Sequence, residues 1–173
     1  MDIPVLNVMK AGSDIASLLG CQDTIWDITS RRTLSQQDPL SEIPLPPNFE
    51  PTAAQRMIPH HPLFDILPWP SVRTKLITIF SLPMQARPMI ARDPMALMQL
   101  VYDLDDSAEG LRTTGSDWRD EMNWEVGQKV FENWWFVLDR DIIRRSNALR
   151  ERRGARRLLP PVTRSIVQEG VGG

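Results

Sequence analysis

The chain has 173 residues, 42% of them hydrophobic and 24% charged, which suits one domain whose core needs neither disulfide nor metal. A formal net charge of −2 and an isoelectric point near 5.7 argue against whole-surface attraction to nucleic acid. The single cysteine, Cys21, excludes an intramolecular disulfide, and no run of about 18 apolar residues offers a membrane span.

Met1-Asp2-Ile3-Pro4 lacks the basic segment and apolar run of a signal peptide. With the lone cysteine, the expected location is the cytoplasm, with the nucleus as the alternative. Residues 13–19 read as a short helix that Ser13 can cap and Gly20 can stop. Residues 30–56 carry Pro39, Pro44, Pro46, Pro47 and Pro51, and their composition predicts an arm docked on a surface rather than a flexible linker. Prolines at 59, 62, 68 and 70 make the next segment extended and rigid. Ser71 can then cap a helix with Val72, Leu76, Ile77 and Phe80 on one face, bounded by Pro83.

Asp93-Pro94 is a helix start, continued by Leu97, Leu100, Val101 and Leu104. Asn123 is placed to cap a helix over 124–138 with Val126, Val130, Phe131, Trp134, Val137 and Leu138 on a broad apolar face. A last helix over 139–153 turns Ile142, Ile143, Ser146 and Leu149 inward and ends at Gly154, and residues 160–173 read as a mobile tail. No alternating strand pattern and no heptad seam is visible. The expected fold class is all-α: an irregular compact helical domain with long proline-rich connections. Its parts would be an N-terminal helix and arm (1–56), a helical domain (57–158) and a tail (159–173).

The only histidines are the neighbours His60 and His61, too few for a zinc site without other soft donors, so a structural role with one ring bonded to the backbone is preferred. Asp103-Leu104-Asp105-Asp106 spells the DxDD pattern with which one class of terpene cyclases protonates an alkene, but a solvated helix end is preferred for so short a motif. Most of the six tryptophans (26, 69, 118, 124, 134 and 135) are expected to serve the core, and some of them could also wall an apolar pocket. Arginines 140, 144, 145, 150, 152, 153, 156, 157 and 164 follow an acidic stretch of Asp103, Asp105, Asp106, Glu109, Asp117, Asp120, Glu121 and Glu125. Intramolecular pairing of the two stretches is the preferred reading. Arg145 and Asn147 could instead hold a ligand carboxylate or carbonyl. No phosphate-binding glycine loop, dinucleotide fingerprint, serine elbow or HExxH helix is present.

Three segments carry a resemblance. They are His61-Pro62-Leu63-Phe64-Asp65-Ile66-Leu67-Pro68-Trp69-Pro70-Ser71-Val72-Arg73, then Asn123-Trp124-Glu125-Val126 leading to Trp134, then Arg145 through Gly154. In this order they resemble the domain of unknown function that follows the basic leucine zipper in many filamentous-fungal transcription factors, over roughly residues 57–158. The residues before 57 hold only Lys10, Arg31, Arg32 and Arg56 as basic groups, which cannot form the continuous basic helix of such regulators. Leu149 stands where the family often has an aromatic, and Ala155 where it has an acid.

The resemblance therefore implies a stand-alone, zipper-less member. The expected function is small-molecule binding in fungal secondary metabolism, as a cofactor-free enzyme. It would catalyse cyclisation, Diels–Alder-type cycloaddition or isomerisation of an apolar terpenoid or polyketide intermediate, chemistry that needs shape and a few donors. Trp69, Trp118, Trp124 and Trp134 would form walls, Arg73 or Arg145 a polar anchor, and His61 a donor or base. No metal, cofactor or membrane is expected, and homo-oligomerisation stays open. The alternative is a zipper-less regulator or interaction module that does not itself bind DNA.

Overall fold

Ala11, Ile15 and Ala16 are buried at helical spacing and give α1 (Pro4–Leu18) its inner face, continued by Leu19 just past its end. The computed structural model describes residues 4–34, 44–115 and 117–161. In it α1 begins well before the expected Ser13 and ends where the glycine predicts. Gly20 adopts φ 61°, Cys21 N donates to Ala16 O at 2.8 Å and Gly20 N to Ser17 O at 3.1 Å, the paired bonds of a Schellman stop.

The described part of the arm is docked, in line with its composition. Phe49 is buried edge-on against Trp118, and Arg32 and His60 exchange backbone hydrogen bonds at 2.9 Å. Thr52 and Gln55 form a reciprocal capping box that starts α2 (Ala53–Met57), a helix inside what the proline content marks as an arm. A 3-10 turn (Pro62–Ile66) leads to α3 (Pro70–Ser81). Pro70 is the first helical residue and Trp69 the N-cap, so Ser71 lies inside the helix rather than capping it. The side chain of Asp93 accepts from Met95 N at 2.7 Å in a turn that precedes α4 (Ala96–Leu104).

The fold is mostly helical but not strictly all-α. Leu111–Thr113 (β1) and Trp124–Val126 (β2) form an antiparallel pair in the register Leu111↔Val126, Arg112↔Glu125, Thr113↔Trp124. Here the expected 124–138 helix is corrected, and Asn123 caps nothing. All three residues of β2 are buried, and Gly127 turns the chain against the backbone of Glu109 and Gly110. A Cβ at Gly127 would sit 2.2 Å from the Glu109 carbonyl oxygen. Only after Gly127 does the helical spacing take hold, as α5 (Gln128–Trp134), followed by a 3-10 turn over Trp135–Val137.

Helix α6 (Arg140–Arg152) matches its predicted span and ends at Gly154 (φ 76°) in a second Schellman stop, with Ala155 N donating to Arg150 O at 2.8 Å. It packs over β2, where Ser146 Oγ accepts from Val126 N at 2.9 Å. One hydrophobic core runs from α1 through Trp69, Trp124 and Trp134 to Ile142 and Leu158. Of the expected tail, residues 162–173 lie outside the described residues.

Candidate functional site

The turn after Gly20 buries Ile25 and leaves Trp26 80% exposed. That residue helps line a half-enclosed pocket of about 200 Å³. Its sides come from Gly12 and Ala16 on α1, Leu63 and Ile66 of the 3-10 turn, and Val101 and Leu104 at the end of α4; Leu111 and Trp124 of the sheet also contribute. Among the described residues Ser13, Gln22 and Asp105 are its polar lining, and Asp105 is the only charged one. An apolar cavity of roughly 150 Å³ is enough to hold benzene, so this pocket has room for a slightly larger ring system. Covering half of one indole would contribute roughly 2 kcal/mol.

The residues with the most conspicuous chemistry lie elsewhere. Asp65, fully buried, accepts from Arg32 Nε at 2.6 Å, Gln55 Nε2 at 2.6 Å and His60 Nε2 at 2.8 Å. Burial opposes its charge, but these donors hold its carboxyl below the usual range. Gln55 continues the network, since its Oε1 accepts from Arg73 Nε at 3.0 Å. Arg73 is wholly buried, gives its remaining bonds to Leu67 O and Glu50 O, and lies over the Phe49 ring; burial pushes its pKa down to about 10. His61 caps the 3-10 turn, with Nδ1 accepting from Leu63 N and Nε2 donating to Asp27 O. That pattern is the neutral ring, and burial lowers its pKa. It borders a second, more polar pocket of about 210 Å³ with Arg31, Arg87 and Asp93. The Cys21 thiol is buried and raised to about 11, which makes it a poor nucleophile.

Asp103 corrects the solvated-end reading of the acidic run. It is buried and accepts from Gln99 Nε2, Asn133 Nδ2 and Trp134 Nε1, all at 2.8 Å, tying α4 to α5. The preferred pairing of acidic and basic stretches is present in the geometry. Arg150 grips Glu109 through both terminal nitrogens at 2.8 and 3.2 Å, and Arg153 meets Glu125 at 2.7 Å. Burial raises the Glu109 carboxyl, but Arg150 and the Gln128 N–H outweigh it and hold it low. Arg145 Nε donates to Met122 O at 2.7 Å, and Asn147 Oδ1 accepts from Leu158 N at 2.8 Å.

Of the expected wall residues, Trp124 alone lines the apolar pocket, with its Nε1 held by Trp118 O at 2.9 Å. Trp69 meets Trp124 edge-on, Trp118 packs on Phe49 beneath the Arg119 guanidinium, and Trp134 stacks on Phe80. The structure therefore does not bring His61, Arg73, Arg145 and Asn147 together at this pocket. Sequence reasoning misses Trp26 and Asp105 as a pair, since they are far apart in the chain and nothing in the local pattern links them. Among the described residues no group of three His, Cys, Asp or Glu side chains could hold a metal, and no helix is long and apolar enough to cross a membrane.

The family model described as a domain of unknown function (DUF3425) matches residues 28–144, more than half of the chain. No curated protein and no solved structure matches it. The match reaches back into the proline-rich arm, in keeping with the bonds that tie Arg32, Gln55 and Arg73 together. The chain belongs to that family.

Proposed function

We propose that this family member binds an apolar small molecule in the pocket that Trp26 helps line. The observation that carries the reading is a contrast in partners. Among the described residues the buried side-chain polar atoms elsewhere are tied to neighbours, with Arg32 Nη2 the exception, whereas this pocket leaves apolar walls and an indole uncovered. The domain is read as a receptor for a metabolite, with regulation as the use its family resemblance favours. Titration with 1-adamantanol tests this through tryptophan emission, expected to change saturably with micromolar to millimolar affinity. Gly12→Leu, which extends a side chain from α1 into the pocket, is expected to weaken that binding at least tenfold. Unchanged emission in the parent protein, or unchanged affinity in the variant, would sink the reading.

Turnover is the second reading, and the pocket lining favours it in one respect. Indole faces and a carboxylate can orient an apolar polyene and stabilise a developing cation without a cofactor. Cyclised product formed from a terpenoid or polyketide precursor above a no-protein control, and lost in Asp105→Asn, would turn the receptor into a cyclase or isomerase.

A further inference from the structure

We infer that the pocket selects a hydrophobic amine, bound as its ammonium, over neutral and anionic molecules of the same shape; this rests on the pocket being the binding site. The three carboxylates of Asp103-Leu104-Asp105-Asp106 have different fates. Asp103 is saturated indoors by three donors. Asp106 accepts from the backbone of Ala108 and Glu109 and closes a turn. Asp105 makes no side-chain hydrogen bond or ion pair among the described residues, and it lines the pocket together with Leu104.

Charge and aromatic character point the same way. Among the described residues the lining contains no lysine, arginine or histidine to oppose a cation. Asp105 is the C-cap of α4, so the partial negative charge of that helix end lies at the same edge. Trp26 and Trp124 both line the space, and indole faces attract ammonium groups. A carboxylate, two indoles and apolar side chains lining one space are the complement of an alicyclic or aromatic ring bearing an amine. A carboxylate ligand would meet repulsion from Asp105, with no cation among the described lining residues to offset it.

The test compares 1-aminoadamantane, 1-adamantanol and 1-adamantanecarboxylate by calorimetry at neutral pH and low salt. The amine is expected to bind about tenfold tighter than the alcohol, from an exposed ion pair plus cation–π attraction, and the carboxylate weakest. Added salt is expected to narrow that gap. Asp105→Asn, a change at an exposed side chain without structural bonds, is expected to erase the difference between amine and alcohol. Equal affinity for amine and alcohol in the parent protein, or a preference that survives Asp105→Asn, would overturn the inference and leave the apolar pocket standing. Failure of all three compounds to bind would overturn both.

Discussion

The network around Asp65 and the pocket that Trp26 helps line share the 3-10 turn Pro62–Ile66 as a wall, yet they follow opposite rules. In the first, Arg32, Gln55, His60 and Arg73 converge from distant points of the chain to satisfy one carboxylate and one amide. In the second, Gly12, Ala16, Leu63 and Leu104 leave space unfilled, and Asp105 stands without a partner among the described residues. Titratable chemistry in this domain is thus largely architecture. An ion taken out of water must be matched by bonds, and a fully matched group has nothing left to offer a ligand. The place to look for recognition is where matching stops.

The contrast is most exposed to disproof at the network. Asp65→Ala removes the acceptor shared by Arg32, Gln55 and His60, and is expected to destabilise by about 3–5 kcal/mol in urea unfolding, because its cationic and polar partners stay buried. Stability within about 1 kcal/mol of the parent would mean that water reaches the network and that its closure is not structural. The pH dependence is the next largest effect. Asp65 and Glu109 both have carboxyls held below their ordinary values in the folded protein. Such groups bind protons more readily when unfolded, so their contribution is present above the ordinary carboxylate range and is lost as pH falls through the folded values. Stability is expected to fall modestly between about pH 7 and 5, because burial lowers the His61 pKa and the unfolded chain takes up that proton more readily, and then to drop more steeply toward pH 3, with a shallower acid drop in Asp65→Asn. A loss completed above about pH 5, with no further drop toward pH 3, would point to His61 alone and overturn the carboxylate reading.

The smallest effect concerns the pocket. Gly12 lies in α1, and a Cβ there would meet Ile66 Cδ1 at 3.8 Å, an ordinary contact. Gly12→Ala is therefore expected to stabilise by up to about 1 kcal/mol through helix propensity, raising the melting temperature by a few degrees. A lowered melting temperature would show that the pocket side of α1 is packed more tightly than its geometry indicates.

Much of the helical scaffold is legible in the sequence. Gly20 and Gly154 stop α1 and α6 because a left-handed turn suits glycine wherever it occurs, and Pro70 opens α3 for an equally local reason. The stretch from Trp124 to Val126 reads as helix because its apolar spacing fits one. Its strand character comes from Leu111–Thr113, and from the close approach of Gly127 to Glu109. Pairing of the acidic stretch with α6 is legible as a charge balance, but not that Glu109 takes Arg150 and Glu125 takes Arg153. At the candidate site Trp124 is anticipated as a wall, while Trp26 and Asp105 are not. Their significance depends on what surrounds them, and burial is a property of the folded whole.

Local sequence therefore settles where α1, α3 and α6 stop, that a core forms around most of the tryptophans, and that the chain resembles a domain family of unknown function. These follow from φ preferences, spacing and composition, which act over a few residues. Which charges are enclosed and which are left open is settled only by the folded chain, because enclosure depends on donors brought together from distant positions. Folding ties Asp103 to Trp134 and Asp65 to Arg32 and His60, and leaves Asp105 at the same pocket as an uncovered indole.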